Sequence, residues 1–241
     1  MRRTGVNLLD VLLPATCLVC GATISPDERR PDKRPRGVAV CANCRESCLP
    51  EAPRHACPVC SIPLPRFVEC CERCRREAFA FRRVIALHRY DGVPAELVRA
   101  YKFGRHRSLA HLIGETLAPT IAGNSPREAA IVPVPSRRRS VRARGFAGAD
   151  LIALAAGRCS GRAVVPLLAM SAKNAQKTLA YAARRDNARR AVFVRAPARI
   201  PASVVLVDDV LTTGTTADAC ARALLEAGAR EVLAVTFAIE Y

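Results

Sequence analysis

Tryptophan is absent, and four tyrosines with seven phenylalanines bring the aromatic share to only 5%. So few rings argue against an extensive base-stacking surface of the sort that single-strand binders build. A long apolar run is missing too. Arg2 and Arg3 precede an apolar stretch, but Asn7 and Asp10 interrupt it and Pro14 ends it. Neither a secretory segment of sufficient length nor a membrane span is predicted, and the expected compartment is the cytoplasm. Leu8, Leu9, Val11, Leu12 and Leu13 suggest instead a short amphipathic helix docked on the neighbouring cysteine-rich module. Acidic residues are scarce: 21 against 38 basic ones, a formal charge of +17 over 241 residues. Such a surface attracts polyanions, nucleic acid first, with binding that weakens steeply in salt. A phosphate-rich small substrate would draw on the same charge.

Cysteine, by contrast, is plentiful. Ten of the twelve cysteines lie between Cys17 and Cys74. Eight form C-x₂-C pairs: Cys17 and Cys20, Cys41 and Cys44, Cys57 and Cys60, Cys71 and Cys74. Without a signal peptide this spacing reads as zinc, since each pair places two thiolates on one tetrahedral ion. Two structural Cys₄ sites are the result. Pairing the first two and the last two is simplest, and a cross-braced arrangement has the same spacing. Cys48, Cys70, Cys159 and Cys220 are left over, and only Cys71, not Cys70, keeps the x₂ spacing to Cys74. Ser25 to Gly37 and Ala52 to His55 read as loops. Closed zinc sites present surface rather than catalyse, and so small a module depends on its metals to fold. Residues 1–80 are thus expected to form a helix and a cysteine-rich module, and 81–241 a second domain.

From about Phe81 the pattern changes to strand and helix in turn. Strands are predicted near Val84 to Arg89, Ala130 to Val134, Val164 to Leu168, Ala191 to Val194, Val204 to Asp208 and Glu231 to Phe237. Helices are predicted near Pro94 to Tyr101, Ser108 to Ala122, Ala147 to Ala156, Leu179 to Arg189 and Thr215 to Ala227, the last stopped by Gly228. This alternation means an α/β fold with an open parallel sheet and right-handed crossovers.

The most informative stretch runs from Val204 to Thr216. The apolar residues Val204 to Val207 read as a central strand, at whose carboxyl end ligands sit in open α/β sheets. Asp208 and Asp209 stand there. Thr212, Thr213, Thr215 and Thr216 offer hydroxyls, and Gly214 lets backbone N–H groups approach a phosphate. The acids would repel phosphate, so their partners are ribose hydroxyls or a bound Mg²⁺. A second anion site is expected where Ile131-Val132-Pro133-Val134-Pro135 leaves a strand and delivers Arg137, Arg138, Arg139, Arg142 and Arg144 over a short loop. Guanidinium forks suit the oxygens of pyrophosphate or nucleic acid alike.

The acid pair followed by Thr-Thr-Gly-Thr-Thr resembles the motif with which type I phosphoribosyltransferases bind 5-phosphoribosyl 1-pyrophosphate (PRPP). That resemblance implies Asp208 and Asp209 on the ribose 2′ and 3′ hydroxyls and Thr212 to Thr216 on the 5′-phosphate, with Mg²⁺ accompanying PRPP. Further signals are Tyr90-x-Gly92, Lys102-x-Gly104, the VPVP-to-RGF segment, and Gln176, Leu179, Arg184 and Asn187 followed by Phe193. In order, with the cysteine pairs, they resemble the ComF family of competence proteins along almost the whole chain. This likeness implies a double zinc ribbon joined to a phosphoribosyltransferase-like domain, a part in handling single-stranded DNA during DNA uptake, and DNA-uptake proteins as partners. One departure stands out: after Arg144-Gly145-Phe146 the family commonly has Asn-Gln, and this chain has Ala147-Gly148. Transferase activity is therefore less secure than ligand binding.

Three functions compete. A transferase would pass ribose 5-phosphate from PRPP to an acceptor while cations hold the departing pyrophosphate. No catalytic residue is identified for it, and an amidotransferase is not expected, because Met1-Arg2-Arg3 opens a zinc module rather than a glutaminase. A nucleic-acid-binding protein that keeps PRPP as a ligand accords with the charge, the arginines and the zinc ribbons. A purine-linked PRPP sensor lacks a separate helix-turn-helix.

Overall fold

The computed structural model describes residues 15–25, 39–50, 55–171, 191–195 and 199–241. The predicted helices at Leu8 to Leu13 and Leu179 to Arg189 lie outside them, as do Gln176, Arg184 and Asn187 and most of the predicted inter-knuckle loops.

The strands are β1 (Arg83–Arg89), β2 (Ala130–Pro133), β3 (Leu168–Met170), β4 (Val192–Val194), β5 (Ser203–Leu211) and β6 (Glu231–Ile239). Four of them form a parallel sheet in the order β1-β6-β5-β2, and β3 with β4 forms a separate antiparallel ribbon. The helices are α1 (Ala42–Glu46), α2 (Glu72–Arg76), α3 (Gly92–Lys102), α4 (Leu109–Asn124), α5 (Arg138–Arg144), α6 (Gly148–Ser160) and α7 (Thr215–Glu226). The expected α/β class, with a cysteine-rich segment ahead of an open parallel sheet, is borne out.

Alternating side chains of each strand serve the two faces of the sheet. Ile131, Val205, Val207, Leu233, Val235 and Phe237 pack beneath residues of α3, α4 and α6, including Leu97, Ile113, Leu117 and Ile152. Val132, Val204, Leu206, Val232 and Ala234 face the other way, toward Cys220 and Leu224 of α7. Each large apolar side chain withdrawn from water here contributes about 1.5–3 kcal/mol.

The knuckles join this core. Cys17, Ile24, Val40, Cys44 and Cys48 belong to the first face, and Val59, Ile62, Phe79 and Ala80 pack against the second. Between them they flank β1, the edge strand. The Val84 amide donates to the Val59 carbonyl over 2.7 Å, and the Ser61 hydroxyl donates to the Val84 carbonyl over 2.7 Å.

Three expectations are corrected. The strand predicted at Val164 to Leu168 contributes only an isolated bridge from Val164 to Ile131, and β3 begins at Leu168. Pro166 has no amide hydrogen to extend a ladder. The arginine-bearing loop is partly helix: Arg138–Arg144 coil because arginine and alanine are good helix formers, and Gly145, at φ 81°, ends the turn. The strand predicted to stop at Asp208 continues to Leu211, because β6 pairs with it as far as Leu211.

Candidate functional site

β2 pairs with β5 only from Val204 to Val207, and one further bond runs from the Val134 amide to the Val207 carbonyl. Pro135 cannot donate the next one. The chain departs there, and the β2 side of β5 is left open just where Asp208 and Asp209 come next. A cleft of about 170 Å³ results, lined by both aspartates, Lys102, Ser136, Arg137, Arg144 and Thr216 among others.

As successive strand residues, the two carboxylates point to opposite faces. Asp209 is only 6% exposed. Lys102 Nζ, at the end of α3, lies 2.8 Å from its Oδ1, and Arg144 Nη1, at the end of α5, lies 4.0 Å from Oδ2. The Tyr101 hydroxyl donates to the Gly148 carbonyl over 2.7 Å and fixes α3 against α6; burial pushes that phenol up, and the nearby Asp209 charge adds to the rise. Asp208 has no such cation at contact distance among the described residues. Burial, then the charge of Asp209, pushes its carboxyl up to about 8, against a hydrogen bond from the Asp209 amide. One acid is therefore held as an ion pair, while the surroundings of the other favour its protonated form.

Beyond the strand, the threonine turn opens α7. Gly214 sits at φ 69°, where an L side chain is strained, and its carbonyl accepts from the Asp218 amide over 2.8 Å. Thr213 and Thr215 share a hydroxyl hydrogen bond of 2.9 Å. Thr216 lines the cleft, and α7 presents its amino end to the same side.

The five arginines are divided by the structure. Arg144 is turned inward on Asp209 and Arg137 lines the cleft, whereas Arg138, Arg139 and Arg142 are exposed on α5. Gly148 explains what replaces the Asn-Gln pair: a Cβ there would stand 3.1 Å from Arg144 Nη1, so the missing side chain is room for the guanidinium. In the sequence Lys102 is legible only as part of Lys102-x-Gly104, with no chemistry attached. The signal that α3 would carry it to Asp209 lies in tertiary packing.

The cysteines form two groups, Cys17, Cys20, Cys41 and Cys44, and Cys57, Cys60, Cys71 and Cys74, with the sulfurs of each within 4.8 Å of one another. This is the sequential pairing, and the cross-braced alternative falls. Each group joins a tight turn to the start of a short helix, with Cys41 and Cys71 at the caps of α1 and α2. Tetrahedral zinc with Zn–S bonds near 2.3 Å needs sulfurs about 3.8 Å apart. Cys20 and Cys41 lie at 3.7 Å and Cys60 and Cys71 at 3.6 Å, so the donor set fits. Amides also favour thiolates: Cys17 Sγ accepts from Val19 and Cys41 at 3.4 Å each. Burial pushes the Cys57 thiol up, yet the amides of Cys71, Cys60 and Val59 outweigh it and bring it to about 6. Cys70, 3.8 Å from Cys57, stays beside the second group. No helix among the described residues is long and apolar enough to cross a membrane.

No family model matches the chain. It is 25% identical over 230 residues to competence protein ComFC of Bacillus subtilis, covering 88% of this chain and 89% of that one. It is 29% identical over 183 residues to the DNA utilization protein YhgH of Salmonella typhi, covering 73% and 80%. Among solved structures, an allosteric regulatory enzyme of purine biosynthesis overlays with a TM-score of 0.39 and 22% identity on 54% of this chain and 25% of that one, too weak a match to carry an argument. With sequence likeness along most of its length and two cysteine groups in the expected order, the chain is a homologue of ComFC and YhgH, the likeness its motifs implied.

Proposed function

We propose that this is a PRPP-binding, phosphoribosyltransferase-like protein of the ComF type that assists single-stranded DNA during DNA uptake. The observation that carries the ligand is the cleft at the end of β5, which joins paired acids, an open amino-terminal helix turn with threonines, and cations on the opposite wall. Asp208 and Asp209 would accept from the ribose hydroxyls or hold Mg²⁺, and Thr212, Thr213, Gly214, Thr215 and Thr216 would take the 5′-phosphate. Arg144, Lys102 and Arg137 line the cleft and would offer positive charge to a pyrophosphate. Bound Mg²⁺ would neutralise further charge on that group.

Support for the DNA role comes from the ComFC and YhgH relatives, the net charge of +17 and the exposed row Arg138, Arg139 and Arg142. Calorimetric titration with PRPP and Mg²⁺, before and after Asp208→Asn with Asp209→Asn, tests the ligand. A loss of tenfold or more is expected, since bonds to charged groups contribute about 1.5–3 kcal/mol. Absence of PRPP binding by the intact protein refutes the reading. Isotope exchange between PRPP and pyrophosphate separates a ligand-binding protein from an active transferase.

A further inference from the structure

A phosphomonoester carries a charge of about −1.5 to −2 at neutral pH. The threonine turn from Thr212 to Thr216 offers amides and hydroxyls but contains no cation. Lys102 and Arg144 are both directed at Asp209 on the far side of the cleft. What the structure places at the turn is Arg73, from α2 of the second cysteine group. A Cβ on Gly214 would lie 3.4 Å from Arg73 Nη2, and 3.7 and 3.9 Å from the rings of Phe79 and Phe81.

Arg73 is held there from several directions. It lies between Cys71 and Cys74 in sequence, so the metal cluster fixes its helix. Its guanidinium stacks on Phe79 at 5.4 Å, and Phe79 stacks on Phe81 at 4.8 Å with ring planes 14° apart. Glu77 is 3.8 Å from Nε, too far for a hydrogen bond, and Nε makes none among the described residues. The stretch after α2 is fastened to α7: the Ala80 amide donates to Asp218 Oδ1 over 2.8 Å, and Arg222 Nη2 donates to the Ala78 carbonyl over 3.1 Å. The second knuckle is thus fixed to the same helix whose first turn is the phosphate turn.

We propose that Arg73 completes the phosphate site, so that a residue of the second cysteine knuckle supplies the cation the threonine turn lacks. This rests on the PRPP reading of the cleft and adds a specific residue to it. A planar guanidinium suits phosphate oxygens, and the stack on Phe79 restricts it before the ligand arrives. Glycine at 214 meets the demand of the left-handed backbone, and the Arg73 guanidinium lies within van der Waals contact of that turn.

The test is titration of the full-length, metal-replete protein with PRPP and Mg²⁺ and, separately, with ribose 5-phosphate. Arg73→Gln should weaken both ligands about tenfold or more, and Arg73→Lys, which keeps the charge but loses the planar fork and its stack on Phe79, should fall between Arg73→Gln and the parent. Zinc content and melting temperature should be unchanged in both variants, because the side chain is partly exposed and is not a ligand. Arg73→Gln binding ribose 5-phosphate as well as the parent overturns the proposal. So does Arg73→Gln losing zinc or melting temperature in step with its ligand affinity, since the guanidinium would then be a packing element and not a phosphate partner. Failure of the parent to bind PRPP counts instead against the PRPP-binding function itself.

Discussion

Replacing Asp208 with asparagine should stabilise the ligand-free protein, and the gain should grow with pH. In the folded chain the carboxyl is pushed up to about 8, against an ordinary value of 3.8. A carboxyl whose folded value lies above its unfolded one favours the fold at low pH and loses that contribution as pH rises from about 4 through about 8. Asparagine has no proton to lose. The stability difference between variant and parent should therefore widen by about 1.4 kcal/mol per pH unit below the folded value, or about 2 kcal/mol between pH 6 and pH 8 as the titration completes. For a domain of this size that corresponds to a melting-temperature gap widening by roughly 4–8 °C. Scanning calorimetry of both proteins, free of PRPP and Mg²⁺, measures it, and taking the difference cancels the acid sensitivity that both share through their thiolates. Asp208→Asn melting at or below the parent at pH 8, or a gap that stays constant from pH 6 to pH 8, would refute the account of Asp208 as an acid held neutral by its surroundings.

The same geometry makes further outcomes testable. Asp209→Asn should destabilise the protein, because it strips Lys102 and Arg144 of their common, buried partner; denaturant titration should place its midpoint below that of the parent, opposite in sign to Asp208→Asn. Purified protein should carry two zinc ions by metal analysis, and Cys57→Ser with Cys60→Ser should remove about one of them and lower the melting temperature of the sheet as well, since Val59 and Ser61 bond to β1. Single-stranded DNA should bind with a log–log salt slope of about −0.7 per phosphate neutralised, and Arg138→Ala, Arg139→Ala and Arg142→Ala together should flatten it. Phe103, 78% exposed beside Lys102 and Arg105, should behave differently: Phe103→Ala should weaken DNA by about 1–3 kcal/mol at every salt concentration and leave the slope alone if a base stacks there.

The contrast between what the chain spells out and what it conceals is physical. Val204 to Thr216 is readable because strand, acids and turn are contiguous, and the cysteine pairs are readable because a tetrahedral ion imposes local spacing. The pairing of the knuckles is not, since two arrangements share the same spacing and only tertiary structure separates them. Arg138 to Arg144 reads as a loop because its charge obscures an adequate helix propensity. Lys102 and Arg73 come from elements far from β5 in sequence, and no periodicity announces that packing will bring one to Asp209 and the other to Gly214. In sequence Gly148 shows only that a polar side chain is missing, whereas its meaning lies in the space it yields to Arg144.

The strand order β1-β6-β5-β2 also sets a schedule for assembly. β6 lies between β1 and β5, yet it comes after every other strand of the sheet in the sequence. While the chain is being synthesised, the knuckles can fill with metal and β2 can meet β5, but β1 has no partner on its inner side until Glu231 to Ile239 emerge. Until then, among the described residues, the half that carries the metals and the half that carries the acid pair meet through helices and the Gly214 turn and not through the sheet. A ribosome stalled ahead of Glu231 would thus release a protein with both sequence motifs intact and an open strand on each half, a form that invites pairing with a second nascent copy.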